Sequence, residues 1–373
     1  MEPFKNLMSD DVVRLIAFHL GRSLEGFDAD TFVASITPHL DPLELKERVN
    51  LISDHMLDVL PESTLDRNKI LVGMLHPDKL TSASKSSDAD GMRGWGVWPL
   101  TDVVGRSGLD AFDNSLETLR EITMRGTSEF DVRPFIAADP GRALRTMRTW
   151  ADDDNEHVRR LATEGSRPRL PWGMRLHALV ADPTKTIPIL ETLRDDPSEY
   201  VRRSVANHLN DIAKDHPDLV SKIAGEWMTN ASKNREKLIR HACRSLIKQG
   251  HSQTLAVFGV LPPKIKSLKI RVKTPIVTMG EALEFQFTCT SSATRPQKLI
   301  IDYVIHHRKA NDTAAPKVFK WKQLTLQPGE TLKETRRHPI RPITTRKYYA
   351  GEHAISLRIN GQDFGHEKFE LRF

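Results

Sequence analysis

Paired arginines recur at one place in a repeated run of this chain, and their side chains can bind anions. The run Glu156–Ala162 (EHVRRLA) returns 43 residues later as Glu199–Val205 (EYVRRSV), and a fainter copy follows at Leu238–Cys243. Guanidinium groups present a planar fork of donors that fits phosphate oxygens. The pattern predicts phosphate binding, although a solvated helix face with pairs of opposite charge is the commoner role of such runs. The predicted phosphate contacts in this part of the chain are Arg159, Arg160, Arg169, Arg175, Arg202, Arg203 and Arg240.

The spacing of the repeat indicates which elements position these arginines. A period of about 40 residues is typical of HEAT-like α-solenoids, in which each unit has two helices and the inner helices line one groove. Solenoid symmetry places equivalent residues of successive units on one face, which favours the anion-binding interpretation. Helix starts are predicted at Asp41, at Asn114 or Ser115, and at Asp139, because each offers a capping side chain before an apolar stripe.

A second type of pattern begins after Pro263. Apolar residues there alternate with polar ones, as in the strand Lys266–Lys273, and Asn360-Gly361 is a two-residue hairpin signal. About seven short strands in the last ~110 residues are typical of an immunoglobulin-like β-sandwich. We therefore predict a multidomain chain, with an α-solenoid of HEAT-like repeats at residues 1–259 and a β-sandwich at 260–373.

Charge is distributed unevenly between these two predicted domains. The net charge of the chain is +6, but the residues from Leu261 onward carry 21 Lys and Arg against 10 Asp and Glu, a net of +11, and the remainder has a net of −5. A basic module favours a polyanionic partner such as nucleic acid or a membrane surface, and simple solubility is the alternative. Within the module, we predict phosphate contacts by Lys269, Arg271 and Lys273, which share the polar face of one strand.

Several classes of protein are not indicated. Met1–Ser9 has no basic segment before an apolar run, and no apolar stretch approaches the ~20 residues that span a bilayer, so we expect neither secretion nor a membrane partner. The two cysteines, Cys243 and Cys289, fall in different predicted domains, which favours a reducing, cytoplasmic setting. Walker A, dinucleotide and HExxH spacings do not occur, so we expect no nucleotide cofactor and no metal. Thr81–Gly91 is predicted to be a surface loop.

Two segments rich in tryptophan, glycine and proline carry a family resemblance. They are Arg93–Leu100 (RGWGVWPL) and Glu164–Gly173 (EGSRPRLPWG). Together with the repeats, they resemble the DNA alkylation repair glycosylases of the HEAT-like repeat superfamily, and the AlkC branch more than the shorter AlkD branch. The resemblance covers nearly the whole chain. Some AlkC members carry a C-terminal immunoglobulin-like domain, which agrees with the predicted sandwich.

The resemblance implies a function and a set of residues for it. It implies a monofunctional glycosylase that releases cationic N-alkylated purines, chiefly 3-methyladenine, from double-stranded DNA without flipping the base and without a cofactor. Glu121, Glu156 and Trp172 would be catalytic, and Trp172, with Trp95 or Trp98, would contact the sugar of the lesion. From sequence alone, an ordinary helix acid is the favoured explanation of each glutamate, and a core or loop role explains the tryptophans equally well.

The expected setting follows from that function. We expect a monomer that associates with the nucleoid. One alternative is a non-catalytic HEAT-repeat scaffold that binds nucleic acid or protein. Another is a broader alkylpurine glycosylase that also removes 7-methylguanine.

Overall fold

The computed structural model describes residues 3–79, 86–344 and 346–373. Within them, sixteen α-helices are followed by eight β-strands. The helices are α1 (Asp10–Gly21), α2 (Ala29–Ile36), α3 (Leu45–Val59), α4 (Thr64–Gly73), α5 (Trp98–Ser107), α6 (Phe112–Thr123), α7 (Arg133–Ala138), α8 (Pro140–Trp150), α9 (Glu156–Glu164), α10 (His177–Ala181), α11 (Ile187–Leu193), α12 (Glu199–Ile212), α13 (Pro217–Met228), α14 (Lys233–Ala242), α15 (Arg244–Gln249) and α16 (Ser252–Val257). The strands are β1 (Ile265–Val272), β2 (Ile276–Thr278), β3 (Ala282–Ser291), β4 (Gln297–Arg308), β5 (Ala314–Leu326), β6 (Thr331–Pro339), β7 (Gly351–Ile359) and β8 (Gln362–Arg372).

The three copies of the repeated run form three helices that pack in series. Helix α12 lies between α9 and α14 and packs against both. Val158, Val201 and Leu238, which hold the same place in each copy, are all buried in these contacts. A hydrogen bond of 2.8 Å between the hydroxyls of Thr163 and Ser204 joins α9 to α12. The predicted repeat is therefore confirmed, since its three copies form equivalent helices that stack on one another.

One predicted helix start is confirmed and two are wrong. The Asp139 side chain accepts a hydrogen bond from the backbone N–H of Arg142 and caps α8. Helix α3 starts at Leu45 instead of after Asp41, because Glu44 and Glu47 form a reciprocal capping box. Helix α6 starts earlier than predicted, at Phe112, whose ring packs edge-on against another buried phenylalanine of the core.

The chain divides into two compact units. The helical unit contains the residues up to Asp215 together with Ala231–Ala242, and the sandwich unit contains His216–Asn230 together with Cys243–Phe373. Helices α13, α15 and α16 therefore belong to the sandwich unit. Among the described residues, no helix is both long enough and apolar enough to cross a bilayer. Part of the predicted Thr81–Gly91 loop, residues 81–85, lies outside the described residues.

The strands form a β-sandwich of two sheets. One sheet has the order β1-β3-β6 and the other β2-β8-β7-β4-β5. The two sheets enclose an apolar core that includes Phe285, Phe287 and Ile301. Asn360 and Gly361 join β7 to β8 with φ values of 47° and 82°, as a two-residue hairpin with two left-handed residues requires. The predicted hairpin is thus confirmed. Eight strands are found among the described residues, where about seven were predicted.

Candidate functional site

An aromatic cleft of about 100 Å³, open to solvent on one side, lies in the helical unit. The cleft is formed by the Gly94–Val97 turn, the end of α6 and the starts of α9 and α12. Its lining includes Trp95, Trp98, Phe130, His157, Arg160 and Tyr200.

A close approach between two glycines builds one wall of this cleft. The backbone N–H of Gly94 donates a 2.7 Å hydrogen bond to the carbonyl of Arg125 at the end of α6. Gly94 has a φ of 61°, in the left-handed region that glycine tolerates. A Cβ on Gly126 would lie 2.3 Å from the Gly94 carbonyl oxygen, so no side chain fits there. Glycine at both positions therefore lets the tryptophan-bearing turn dock onto α6.

The three tryptophans singled out in the sequence lie in one aromatic row. Trp98 stacks on Phe130 with ring centroids 5.2 Å apart, and Trp95 is 5.9 Å from Trp98. Phe4 continues the row, at 5.2 Å from Trp95 and 6.2 Å from Trp172. Trp98 is nearly buried, whereas Trp172 is 60% exposed. The row thus runs from the cleft to an exposed indole ring.

Glu121 lies near the edge of the cleft and is surrounded by cations. Its side chain is 26% exposed, on the flank of α6 away from the buried Leu119. Its carboxylate accepts a hydrogen bond of 3.2 Å from Arg125, which lines the cleft, and lies 3.5 Å from Arg120 and 3.7 Å from Lys79. These contacts fix the carboxylate while leaving part of it open to solvent.

Glu156 is on the neighbouring helix. It is the first residue of α9, is exposed, and precedes His157, which lines the cleft. Its carboxylate accepts a hydrogen bond from the hydroxyl of Ser198. Helices α6 and α9 pack against each other, and the Nε of Arg120, next to Glu121, bonds to Asp153 at 2.9 Å. The fold therefore places both candidate carboxylates on packed elements that border one cleft.

The first arginine of each pair is engaged inside the protein. The Nη1 atom of Arg159 donates to the carbonyls of Asp153 and Asp154, and that of Arg202 donates to those of Asp196 and Pro197. These bonds are equivalent across the repeat. Arg159 also forms a two-point ion pair with the buried Asp196. In both copies of the repeat, the first arginine thus binds the loop that precedes its own helix. Phosphate contact by Arg159 and Arg202 stays a prediction.

Arg160 belongs to a buried ionic network at the back of the cleft. Its guanidinium lies 2.6 Å from Glu129 and 3.6 Å from Glu164, and 4.7 Å from the centre of the Tyr200 ring. Glu164 also pairs with Arg167 at 2.6 Å. Burial alone would raise the pKa of Glu164, but the two arginines reverse this, so its pKa is lowered and the carboxylate stays ionised.

The remaining predicted phosphate contacts of the helical unit differ in accessibility. Arg169 forms a two-point pair with Asp215. Arg175 and Arg240 are exposed. Arg203 has a side chain that is 69% exposed and only a 3.5 Å pair with Glu199. It borders a groove of about 470 Å³ between α12 and α14, which is also lined by Lys237 and His241.

The predicted basic strand lies on the outer face of the three-stranded sheet. Lys269, Arg271 and Lys273 are exposed, whereas Leu268 and Ile270 point to the core. In the register of the sheet, Lys269 and Arg271 are opposite Thr288 and Gln286 of β3, which are opposite Lys333 and Thr335 of β6. The acid on this face is Glu284, which lies 3.2 Å from Lys273 and 3.9 Å from Arg337. The face is polar and predominantly basic.

One group of possible metal ligands occurs among the described residues, and its hydrogen bonds do not fit a metal. Single donor atoms of His76, Asp88 and Asp90 lie within 4.8 Å of one another. However, the Nδ1 of His76 accepts a hydrogen bond of 2.9 Å from the backbone N–H of Asp78. In the neutral ring the proton is then on Nε2, the atom that faces Asp88 at 3.6 Å. Arg93 already neutralises the Asp88 carboxylate.

Comparison with known proteins matches both parts of this architecture. Residues 126–246 match a family described as DNA alkylation repair enzyme, and residues 266–373 match the C-terminal Ig-like domain of the uncharacterised protein YhaZ. The chain is 35% identical over 364 residues to the uncharacterized protein YhaZ of Bacillus subtilis (strain 168), covering 97% of each chain. It is also similar to the structure of the Pseudomonas fluorescens alkylpurine DNA glycosylase AlkC bound to DNA containing an abasic site analog, with a TM-score of 0.78, 36% identity and 100% coverage of both chains. The chain belongs to the AlkC branch of the DNA alkylation repair glycosylases.

The cleft and the aromatic row of this AlkC-family chain also contain residues that sequence analysis missed. Phe4 and Phe130 complete the aromatic row, and neither lies in a recognisable motif. Tyr200 and His157 hold equivalent places in the two copies of the repeated run, and their rings meet at 5.6 Å. The repeat itself was therefore the signal that could have found this pair.

Proposed function

We propose that this protein is a monomeric, monofunctional DNA glycosylase that hydrolyses the N-glycosidic bond of cationic alkylated purines, chiefly 3-methyladenine, without flipping the base. The observation that carries the proposal is an aromatic cleft lined by Trp95 and Trp98, with a candidate carboxylate beside it on each of two packed helices. Glu121 bonds to the lining residue Arg125, and Glu156 precedes the lining residue His157. Membership of the AlkC branch supports the reaction class, and the DNA-bound AlkC structure supports DNA as the partner.

A modest set of catalytic groups suffices for this reaction. An N3-alkylated adenine carries a positive charge, so it leaves with the electrons of the glycosidic bond as a neutral base and needs no protonation. The sugar is left as an oxocarbenium ion, which nearby carboxylates stabilise. Glu121 and Glu156 supply that negative charge. Water adds to C1′ of the sugar, one carboxylate accepts the proton that the water loses, and an abasic site remains.

Aromatic and basic groups would hold the substrate. The face of Trp172 suits the cationic sugar, since indole rings attract positive charge, and Trp95 and Trp98 continue the aromatic row into the cleft. Arg203, with Lys237 in the same groove, would contact phosphates in the helical unit. In the sandwich, Lys269, Arg271 and Lys273 would do so from an exposed face. Phosphate contacts of this kind set affinity and carry no sequence preference, as repair of scattered lesions requires.

The proposal is tested by base release from N-methylated duplex DNA, analysed by chromatography under single-turnover conditions. We expect the wild type to release 3-methyladenine, and Glu121→Gln or Glu156→Gln to release it about 10²–10³-fold more slowly, as when one electrostatic group is removed from other active sites. DNA affinity should change little, because neither carboxylate binds phosphate. A panel of labelled lesions, including 7-methylguanine, defines the substrate range.

Glu199→Gln is the matched control. Glu199 opens α12 as Glu156 opens α9, 43 residues earlier, and it is also exposed. We expect Glu199→Gln to release base at the wild-type rate. If the wild type binds DNA but releases no base from any lesion, the enzyme proposal fails and a nucleic-acid-binding scaffold is the better description. Loss of activity in Glu199→Gln as well would point to a general effect of charge on DNA binding.

A further inference from the structure

Trp172 is held in a backbone conformation that a bulky residue seldom adopts. Its φ is 65°, although its side chain is 60% exposed. The left-handed region is strained for any residue other than glycine, so the surrounding structure must enforce this conformation. The segment that carries this residue, Gly165–Met174, is called the Trp172 loop below.

A buried arginine binds three carbonyl groups of the Trp172 loop. Arg133, the first residue of α7, is fully buried. Its Nε donates to the carbonyl of Met174 at 2.6 Å, and its Nη1 donates to those of Gly165 and Arg167 at 2.7 and 2.8 Å. Burial lowers the pKa of Arg133 to about 10, so its guanidinium remains charged at neutral pH. One guanidinium thus joins the two ends of the loop.

The packing of the loop against this guanidinium is close. A Cβ built on Gly173 would lie 3.1 Å from the Arg133 Nε, which is tighter than an ordinary contact. Glycine after Trp172 therefore lets the chain pass directly over the arginine. The Trp172 ring packs edge-on against Phe4, with ring centroids 6.2 Å apart.

A second cation binds the loop from another helix. The Nζ of Lys46, on α3, donates a hydrogen bond of 2.8 Å to the carbonyl of Trp172 itself. This bond fixes the peptide plane that follows the Trp172 Cα, whereas Arg133 fixes the residues on either side. Lys46 and Arg133 lie on different helices, α3 and α7, and are 87 positions apart in the sequence.

From these contacts we infer that Arg133 and Lys46 are positioning residues, which hold Trp172 where its ring can meet the substrate sugar. The inference rests on the proposed function, since it gives Trp172 a rate-determining contact. It assigns no chemical step to either cation. Displacement of a substrate-contacting group by about 1 Å can lower a rate about 10²-fold, so the loss of either contact should be visible in catalysis.

The test is a double-mutant cycle on the full chain, with single-turnover base release, DNA affinity and Tm measured for each variant. We expect Trp172→Ala, Arg133→Lys and Lys46→Met each to slow base release at saturating protein, by at least about tenfold for Arg133→Lys. In the Trp172→Ala background, neither Arg133→Lys nor Lys46→Met should slow release further, because each acts through the indole. Lys46 is exposed, so Lys46→Met tests the inference even if Arg133→Lys does not fold.

Arg67→Lys is the matched control for loss of a buried guanidinium. Arg67, on α4, is 6% exposed and also binds backbone carbonyls, those of Pro61, Glu62 and Ser107. We expect Arg67→Lys to lower Tm to a similar extent as Arg133→Lys and to leave the rate at saturating protein unchanged. Equal slowing by both variants, or additive losses in the Trp172→Ala background, would show that Arg133 is only structural.

The outcomes also separate this inference from the proposed function. If the wild type releases base and Trp172→Ala releases it at the same rate, the inference is overturned and the glycosylase proposal is left intact. Absence of release by the wild type overturns both.

Discussion

The helical unit and the sandwich unit place their positive charges differently. In the helical unit, Arg133 and Arg167 are buried and Arg160 is largely covered, and each contacts acids or carbonyls of the protein. In the sandwich unit, Lys269 and Arg271 stand on an open sheet face. Paired arginines in a sequence therefore need not form a binding surface, since a solenoid can also use them to join one repeat to the next.

The two units also bury different kinds of ionisable group. The helical unit keeps ionised groups inside by pairing them, as in the Glu164 network. The sandwich unit buries histidines that stay neutral. Burial lowers the pKa of His307 to about 3 and that of His338 to about 4. His338 makes a hydrogen bond of 2.9 Å with the hydroxyl of Tyr303. The difference is one of degree, since burial also lowers the pKa of His208 in the helical unit to about 4, and the buried Asp302 of the sandwich unit lies 3.5 Å from Lys320.

Removing one acid from the helical interior should have the largest effect on stability. Glu164→Gln leaves Arg160 and Arg167 without the carboxylate they share, and breaking a buried pair costs about 3–5 kcal/mol. Urea unfolding should show a loss of this size in the free energy of unfolding. Glu191→Gln is the control, because the Glu191–Arg194 pair is more than one-third exposed on both sides and should cost about 0–1 kcal/mol. Equal losses for the two variants would contradict the contrast between interior and surface pairs.

Acid should act on the sandwich unit through its neutral histidines. Their folded-state pKa values lie below the unfolded value of about 6.5, so the unfolded chain binds more protons below that pH. Their contribution is fully present above pH 6.5 and is lost as pH falls toward 4 and 3. At pH 5.5 each should have lost about 1.4 kcal/mol. The free energy of unfolding, measured from pH 7.5 to 5, gives the slope of stability against pH. His338→Gln should make this slope shallower. If His338→Gln leaves the slope unchanged, His338 is not a source of the pH dependence of stability.

Neutralising the open basic face should have a smaller effect, confined to DNA binding. The triple change Lys269→Gln, Arg271→Gln and Lys273→Gln should make the slope of log K against log salt less steep by up to about 2.7, since each phosphate contact contributes about 0.9. Arg203→Gln should change it by about 0.9 on the same basis. Neither should alter the rate at saturating protein. Lys309→Gln with Lys317→Gln, at the other sheet, is the control, and an equal change there would mean that total charge matters more than the proposed face.

Much of the fold was predictable because its signals are local. The 43-residue repeat predicted the stacked helices α9 and α12, since Val158 and Val201 mark the same buried position in each copy. Alternation of apolar residues predicted the sandwich, and Asn360-Gly361 predicted its hairpin. The helix starts at α3 and α6 were less predictable, because Glu44 and Phe112 gain their roles from a reciprocal cap and from packing.

The sequence by itself determined the two architectures, the uneven charge and the residue types at the candidate site, because periodicity, turn chemistry and composition act over short stretches of chain. Only the tertiary structure decided which of those residues meet. The aromatic row joins Phe4, Trp95 and Trp172, and the loop that carries Trp172 is held by Arg133 and Lys46. The tertiary structure also decided which arginines are inside, since the partner of Arg159, Asp196, is 37 residues away. Such contacts depend on packing between distant segments, which no local pattern encodes.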